Sequence, residues 1–376
     1  MNCLKTTEVA DISKSYNILQ VMDFAAAYPG NFISSIETLE KQIVSEDGKL
    51  VYVFPERAKT RDWAIRMAEA GKPVYFLPSK TLKAAALLRR LVKQYNISII
   101  HSHFAAVNMY LPIRLARIGS SRIPHLVHAH SLPKRQPKPV LDFIRYLLID
   151  EKLTVCVSKA VAKAYESRGR KCIVVTNAID FSRLSVFEAL DKNQYSNLPD
   201  NSLVMMMGYN FKVKGIDLAI KALNEFDKEH EIILLICVAS HLERAKEQIV
   251  EILGEIPAWI RILPPRDDIA SYYRLVDVFA SASRTEGLPY SIIEAAFCGT
   301  PIVASDIEPH KELEIPFAAE FEGENGEQFY NEIKKMLSRP AEQCIYESLT
   351  EKTYVENTFT MEKWTQQITE IYTSII

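Results

Sequence analysis

Two glutamates, eight residues apart, lie in the segment 286-EGLPYSIIEAAFCGTPIVASD-306. Glu286 opens a Gly-Leu-Pro turn, whereas Glu294 falls in an apolar run where an unpartnered buried carboxylate would be costly. Gly287 permits close backbone approach, and Pro289 fits the first turn of a helix. The N-terminus of that helix offers N–H groups and the positive end of its dipole to an anion such as a diphosphate. Since a carboxylate can accept two hydroxyls, the pair predicts one glutamate for a transferred sugar and one for a ribose.

The elements that must position these residues are predicted from short apolar runs alternating with longer helical patterns. Such near-continuous apolar strands are typical of parallel sheets covered by helices on both faces. The runs form two series, so we expect two Rossmann-like domains. The predicted strands are 17–24, 50–54, 73–77, 97–104, 125–131, 153–158 and 172–177, followed by 203–208, 231–239, 260–264, 277–283 and 301–305.

Polar residues at the ends of these strands are the candidates for ligand contact, because ligands of doubly wound sheets bind at the carboxyl ends of the strands. The domain boundary is expected in the polar stretch 191–202, within a broader window of 180–200. The strand-end residues are Asp23, His101, His103, His128, His130, Ser158, Asn177, Gly208 and Ser283.

Length and composition are those of a soluble globular protein with two domains: 376 residues, 48% hydrophobic and 24% charged. No apolar run reaches the roughly 18 residues of a membrane span, and residues 1–17 lack the apolar segment of a signal peptide. The six cysteines are scattered without a CxxC pair, which argues against a zinc site and a disulfide framework. We therefore expect a cytoplasmic protein.

The charge is divided unevenly along the chain. Residues 1–182 hold 27 Lys and Arg against 15 Asp and Glu, a balance of +12, and the remainder holds 18 against 32, a balance of −14. The basic half is either a set of solvated faces or a surface that meets an anionic partner. No nucleic-acid-binding module is recognisable, so nucleic acid is not the expected partner.

One helix of the basic half has two interpretations. In 80-KTLKAAALLRRLVKQY-95 the apolar residues share one face, and Lys83, Arg89, Arg90 and Lys93 are spread over the rest. The pattern fits an ordinary Rossmann helix with a solvated face, and it also fits a basic helix that contacts a membrane.

The motif of the two glutamates resembles the E-x7-E motif of retaining glycosyltransferases of the GT-B fold, glycosyltransferase family 4. The similarity extends over most of residues 150–306 and is loose before residue 97. Three further segments carry it: 157-VSKAVAKAY-165 with 174-VVTNAID-180, 208-GYNFKVKGIDLAIKAL-223 and 274-RLVDVFASASRTEG-287.

The resemblance implies a donor site in the second half of the chain. Lys214 would bind the diphosphate of a nucleotide-sugar, and Glu294 would hold the ribose. Glu286 would contact the hydroxyls of the donor sugar, with the backbone of Gly287, Leu288 and Pro289 beside it.

The resemblance also implies two residues of the first half. Gly30 would form the loop after the first strand that approaches the phosphates and the acceptor, and His130 would lie near the reacting sugar as a catalytic residue with Glu286. No metal and no other cofactor is implied, because cationic side chains and helix ends would neutralise the leaving diphosphate.

Two positions depart from the family pattern. Tyr209 stands where the family usually has an arginine that could grip phosphate with a bidentate fork, and Ala178 replaces a usual glycine. Lys212 could compensate for the lost charge. The departures keep open a non-catalytic GT-B partner of another transferase as an alternative.

The implied architecture is an α/β GT-B fold with two Rossmann-like domains facing across a cleft. Residues 1–182 would bind the acceptor, residues 183–358 the nucleotide-sugar, and the helix of residues 359–376 would pack back on the first domain. The implied reaction is retaining transfer from a UDP-sugar to a lipid-linked glycan in envelope polysaccharide synthesis, on the inner face of an anionic membrane. Transfer to a small soluble acceptor, or another reaction on the same scaffold such as nucleotide-sugar epimerisation, remains the alternative enzyme.

Overall fold

The structure is a computed structural model that describes residues 16–104, 107–119, 123–133, 153–238, 241–264 and 266–376. Two parallel sheets form its centre, which confirms the predicted fold class. Most strands are short and buried, because helices cover both faces of each sheet, whereas the edge strands β3 and β7 are partly exposed. Within this described part, none of the helices combines the length and hydropathy needed to cross a bilayer.

The first sheet has seven strands in the order β3-β2-β1-β4-β5-β6-β7. Its strands are β1 Asn17–Met22, β2 Lys49–Pro55, β3 Val74–Leu77, β4 Ile99–His103, β5 His125–Ala129, β6 Leu153–Cys156 and β7 Lys171–Val174. The described helices of this half are α1 Gly30–Ser45, α2 Asp62–Glu69, α3 Thr81–Gln94, α4 Val107–Arg117, α5 Lys159–Glu166 and α6 Phe181–Ser185.

The second sheet has six strands in the order β10-β9-β8-β11-β12-β13. Its strands are β8 Ser202–Met207, β9 Ile232–Cys237, β10 Ile260–Leu263, β11 Val278–Ser281, β12 Ile302–Ser305 and β13 Ala319–Phe321. Its helices are α7 Phe211–Lys214, α8 Ile216–Phe226, α9 Leu242–Leu253, α10 Ala270–Leu275, α11 Tyr290–Cys298, α12 Glu308–Lys311, α13 Gly326–Leu337 and α14 Ala341–Thr358. The three-residue β13 is absent from the predicted strands, because three residues carry too little pattern to detect.

The last helix, α15 Met361–Ile375, returns to the first half of the chain. It packs against α1, and Trp364, Ile368 and Tyr372 belong to the same hydrophobic core as β1 and β2. A second contact joins the halves at Glu312, whose carboxylate accepts the N–H groups of Lys159 and Ala160 at 2.5 and 2.6 Å. These N–H groups at the start of α5 have no intrahelical partner, so the carboxylate completes the helix N-terminus.

The strand orders place two switch points in the molecule, one between β1 and β4 and one between β8 and β11. In doubly wound sheets the ligand crevice opens at the carboxyl ends of such neighbouring strands. The loops that follow β1, β8 and β11 lie at these switch points, and the loop that follows β5 lies one strand beyond β4.

Candidate active site

The loop after β11 holds Glu286 against two partners. Its Oε1 accepts from the ammonium of Lys214 at 2.6 Å and from the hydroxyl of Ser283 at 2.7 Å. Its Oε2 makes no hydrogen bond within the described residues. Glu286 is therefore oriented through one oxygen and retains the other as an acceptor for a ligand hydroxyl.

Lys214 reaches Glu286 because two glycines allow the chain to pass. Gly215 adopts a left-handed φ of +66°, and a Cβ there would lie 1.9 Å from the carbonyl oxygen of Ala282. Gly208 has a φ of +135°, and a Cβ there would lie 2.6 Å from Cγ of Lys214. The backbone conformation and the close approach both require glycine. This explains why the Gly-x5-Lys-Gly pattern brings the ammonium of Lys214 to the loop after β11.

Ion pairs and hydrogen bonds of Arg284 join the loop after β11 to the helices that follow β8. Arg284 donates to the carboxylate of Asp217 on α8 at 2.7 and 3.2 Å, and its guanidinium also pairs with Glu324. Its backbone N–H donates to the carbonyl of Val213 at 2.9 Å. Hydrogen bonds to both carboxylates raise the pKa of Arg284 further above its usual range. Arg284 is two residues before Glu286, so these contacts fix the position of Glu286 relative to Lys214.

Glu294 is buried in the middle of α11 with its charge fully partnered. Oε1 accepts from Asn31 at 2.7 Å and pairs with the guanidinium of Arg183, and Oε2 accepts from the hydroxyl of Tyr273 at 3.0 Å. Burial, and then the charge of Glu294, hold the pKa of Tyr273 well above its usual range, so the phenol stays a donor. Residue Glu294 is 7% exposed, so its side chain does not face solvent.

The partners of Glu294 were not found from the sequence. Asn31 follows Gly30 at the start of α1, and its Oδ1 accepts the N–H of Asp180 at 3.1 Å. Arg183 lies on α6, three residues after the Asn-Ala-Ile-Asp segment. A polar side chain next to a predicted ligand loop and an arginine beside a motif are weak signals, since both residue types are common on surfaces.

The turn at Gly287 lies directly against the first half of the chain. A Cβ at Gly287 would be 2.1 Å from the carbonyl oxygen of His130 and 3.1 Å from Cα of Ser131. Both neighbours are backbone atoms, which cannot rotate away. Glycine is therefore required for close approach, as predicted. The contact brings the Glu286 turn and His130 to one place.

His130 lies just after β5, partly exposed, with its ring among aromatic and imidazole neighbours. The rings of Phe104 and His128 lie 4.0 and 4.4 Å from it, centroid to centroid. Burial lowers the pKa of His130 well below its usual range, and the nearby His128 and His101 lower it further. A neutral imidazole can donate from one nitrogen and accept at the other.

The remaining residues named from the sequence lie in loops, at helix starts or in the core. Gly30 begins α1 with a φ of +55°, and open space surrounds the position of its missing Cβ. Leu288 is buried, and Pro289 stands at the N-cap of α11. Tyr209 is 43% exposed with its ring 4.9 Å from that of His241. Ala178 lies in the core of the first half, where its methyl group is accommodated.

One group among the described residues has the composition of a metal site. The closest nitrogens of His101, His103 and His128 lie within 4.8 Å of one another. Both nitrogens of His103 already make hydrogen bonds, to His130 and to Gln20. A metal ion there would have to displace one of these partners.

Comparison with known proteins accounts for most of the chain. Residues 43–183 match the family model described as Glycosyltransferase Family 4, and residues 188–353 match the one described as Glycosyl transferases group 1. The two matched segments follow the two sheets and contain every predicted site residue except Gly30.

Two curated relatives and one solved structure illustrate the similarity. An uncharacterized glycosyltransferase of Haemophilus influenzae is 24% identical over 66% of this chain and 68% of its own. The alpha-monoglucosyldiacylglycerol synthase of Streptococcus pneumoniae is 25% identical over 72% and 67%. The crystal structure of Anabaena HepE in complex with UDP superposes with a TM-score of 0.74 at 17% identity and covers 95% of this chain and all of its own (100%). At that identity the superposition shows a shared fold.

Proposed function

Because the chain belongs to glycosyltransferase family 4 and has the GT-B fold, we propose that it transfers a sugar from a UDP-sugar to a glycan acceptor with retention of anomeric configuration. The supporting observation is the close contact between the Gly287 turn and the backbone of His130. It brings the free Oε2 of Glu286, the ammonium of Lys214 and an imidazole of the other half to one cleft. HepE, which has the same fold, was crystallised in complex with UDP, which supports uracil as the base.

The donor is proposed to lie along the loops after β8 and β11. Lys214 and the N-terminus of α11 would bind the diphosphate, since an ammonium and free backbone N–H groups both stabilise negative charge. Glu286 would accept hydroxyls of the donor sugar through Oε2, with the backbone of Gly287, Leu288 and Pro289 around it. Glu294 would accept the ribose hydroxyls, and Gly30 would leave room for the phosphates and the acceptor.

The proposed reaction occurs on one face of the sugar. The acceptor oxygen forms a bond to the anomeric carbon as the bond from that carbon to the phosphate oxygen breaks. The acceptor proton passes to the departing phosphate oxygen, which acts as the general base. The nucleoside diphosphate then leaves carrying that proton, and no further reactant is needed. His130 would touch a hydroxyl of the reacting sugar. Closure of the cleft would exclude water, which protects the donor from hydrolysis.

A lipid-linked acceptor on an anionic membrane is proposed from the surface of the basic half. A groove of about 540 Å³ runs between α3 and α4, and neither Arg90 nor Lys93 on its rim makes an ion pair within the described residues. Leu82 beside it is 77% exposed. A relative, the Streptococcus pneumoniae enzyme, is named for a diacylglycerol product. Basic and apolar side chains together suit anionic lipid. The groove is lined by Leu82, Ala85, Ala86, Arg89, Arg90, Lys93 and Leu115.

The direct test is nucleotide binding to the full chain. Thermal unfolding is followed with UDP, GDP, ADP and CMP, for the wild type and for Glu294→Ala. We expect a rise in unfolding temperature with UDP that is lost in the variant. A rise with GDP alone would show that the base of the donor is guanine and not uracil.

No response to any nucleotide would overturn the transferase proposal and favour the non-catalytic partner. A positive response is followed by incubation with UDP-glucose and lipid-linked acceptor extract. Product with the anomeric configuration of the donor is expected, and the inverted configuration would overturn the retaining mechanism. Transfer only to water-soluble acceptors would replace the lipid-linked acceptor.

A further inference from the structure

A buried chain of polar side chains extends from His130 into the core of the first half. Strands β4 and β5 pair with His103 opposite His128, so alternate residues of both strands put four imidazoles on one face of the sheet. The ring centroids of His101 and His103 are 4.1 Å apart, and those of His103 and His130 are 5.3 Å apart. His101 and His103 are fully buried.

Hydrogen bonds connect these rings to β1 and α15. His130 Nε2 lies 3.1 Å from His103 Nδ1, and His103 Nε2 lies 2.8 Å from Gln20 Oε1. The amide nitrogen of Gln20 donates to the hydroxyl of Tyr372 at 3.0 Å. That hydroxyl lies 2.6 Å from Nδ1 of His101.

The order of donors along this chain follows from one group. The amide oxygen of Gln20 can only accept, so the proton of neutral His103 must lie on Nε2. Nδ1 of His103 is then bare and must accept from His130, whose proton therefore lies on Nε2. Burial and the neighbouring imidazoles keep the pKa of His103 well below its usual range, which excludes a doubly protonated ring at neutral pH.

We propose that Gln20 and His103 are positioning residues that hold His130 with its proton on Nε2 and leave Nδ1 as a hydrogen-bond acceptor for a hydroxyl of the bound sugar. Nδ1 of His130 makes no hydrogen bond within the described part of the chain. The assignment of that hydroxyl to the substrate rests on the proposed function, whereas the state of the ring does not.

Tyr372 lies at the other end of this chain of polar side chains, where it contacts Gln20 and His101. Reversing the amide of Gln20 would put its NH₂ group against His103 Nε2, which would move the proton of His103 to Nδ1 and reverse the role of His130. The hydroxyl of Tyr372 accepts from the amide nitrogen of Gln20 at 3.0 Å and lies 2.6 Å from Nδ1 of His101. With the amide reversed, the hydroxyl would have to donate to Oε1 of Gln20, and Nδ1 of His101 would have to carry a proton. The last helix of the chain is thereby linked to the ring state of His130 through Gln20 and His103.

The test reads the ring state directly in the ligand-free protein. The eight histidines are labelled with ¹⁵N, and two-bond proton–nitrogen correlations report which ring nitrogen carries the proton. The signals of His130 are identified by their loss in His130→Asn. We expect a protonated Nε2 and a bare Nδ1 in the wild type, and a mixture or the reverse in Gln20→Met, which keeps the volume and removes the acceptor.

A wild-type His130 with its proton on Nδ1, or an unchanged pattern in Gln20→Met, would overturn the proposal. If Gln20→Met does not fold, Tyr372→Phe removes only the hydroxyl and should give the mixture. Thr365→Val, a buried change on the same helix outside the hydrogen-bonded chain, controls for altered packing and should leave the pattern intact.

A kinetic measurement adds the link to the reaction. In Gln20→Met we expect kcat/KM to fall about tenfold, the loss that corresponds to one hydrogen bond, with an unfolding temperature matching that of Thr365→Val. An unchanged kcat/KM beside an altered ring state would remove His130 Nδ1 from substrate contact. Since the spectroscopic result needs neither donor nor acceptor, its failure is distinguishable from failure of the proposed function.

Discussion

Asn31 at the start of α1 donates a hydrogen bond to Glu294 of α11, and the 2.7 Å contact joins the two halves of the chain. The same carboxylate oxygen pairs with Arg183, and Tyr273 donates to the other. Under the proposed function, a ribose at Glu294 would have to compete with side chains already in place. The proposed nucleotide site would then be coupled to the contact between the halves.

This relationship predicts the effect of two substitutions on nucleotide affinity. Glu294→Gln replaces a charged acceptor by a neutral one, so we expect UDP to bind roughly 10- to 100-fold more weakly, in keeping with the strength of hydrogen bonds to charged groups. Asn31→Ala removes a competing donor and leaves the carboxylate, so UDP should bind at least as tightly as to the wild type. Calorimetric titration measures both, and equal affinities for Glu294→Gln and the wild type would contradict the assignment.

The contact between Gly287 and His130 predicts a loss of activity from one methyl group. Gly287→Ala would place Cβ 2.1 Å from a backbone oxygen, so the turn and the strand end must separate. We expect transfer to fall at least tenfold, because displacement by about 1 Å can cost two orders of magnitude. Gly323→Ala is the matched control, since its Cβ would lie 3.6 Å from Asp306. Similar rates for the two variants would show that the contact is not needed.

Tyr209 predicts a gain of function. It is 43% exposed and lies in the loop between β8 and α7, the helix that carries Lys214, where an arginine could add a bidentate contact to phosphate. We expect Tyr209→Arg to lower the KM for the donor, by up to about tenfold, and Tyr209→Phe to leave it unchanged. Lys212→Ala in the wild-type background should raise the KM if Lys212 supplies the missing charge. Steady-state kinetics decide both points, and an unchanged or higher KM in Tyr209→Arg would show that the diphosphate lies elsewhere.

The groove between α3 and α4 predicts salt-sensitive binding to anionic vesicles. Reversing two charges, in Arg90→Glu with Lys93→Glu, should weaken binding to phosphatidylglycerol vesicles at least tenfold, since each basic residue near such a surface contributes about 1 kcal/mol. Lys221→Glu with Lys228→Glu makes the same charge change on the second half and should have little effect. Sedimentation with vesicles at low and high salt measures the difference. Equal losses in the two double variants would assign the effect to net charge.

Glu351 predicts a pH-dependent stability. It is buried on α14, and burial, with the charge of Glu347 adding to it, raises its pKa to about 8 from 4.5. The folded state therefore keeps a proton that the unfolded state releases, so the free energy of unfolding falls as pH rises from 4.5 to about 8. The loss is on the order of 3 kcal/mol. Glu351→Gln should flatten this dependence in denaturant titrations at pH 5 and 8, whereas the exposed Glu356→Gln should leave it steep.

Much of the fold was readable because parallel strands bury both faces. The run of β9 is continuously apolar, and those of β1 and β8 are mostly so; the predicted bounds of all three agree with the structure to within two residues. The three-residue β13 was missed, because it lacks the length that gives a pattern. The helix that follows the Glu286 turn and carries Glu294 was predicted, and it spans Tyr290–Cys298, because Pro289 and Gly299 mark its ends.

The sequence by itself determined the two series of strands, the helix after the Glu286 turn and the need for glycine at position 287. These depend on local propensity and on spacing along the chain. Only the tertiary structure decided that Asn31 and Arg183 meet Glu294, and that Gln20, His103 and Tyr372 form one chain behind His130. The contacts of Glu294 with Arg183 and Asn31, and that of Gln20 with Tyr372, join residues 111 to 352 positions apart. The contacts of His103 with Gln20 and His130 span fewer residues and join neighbouring strands or their ends. Such pairs leave no periodic trace in the sequence, because packing of the sheets and of the last helix alone brings them together.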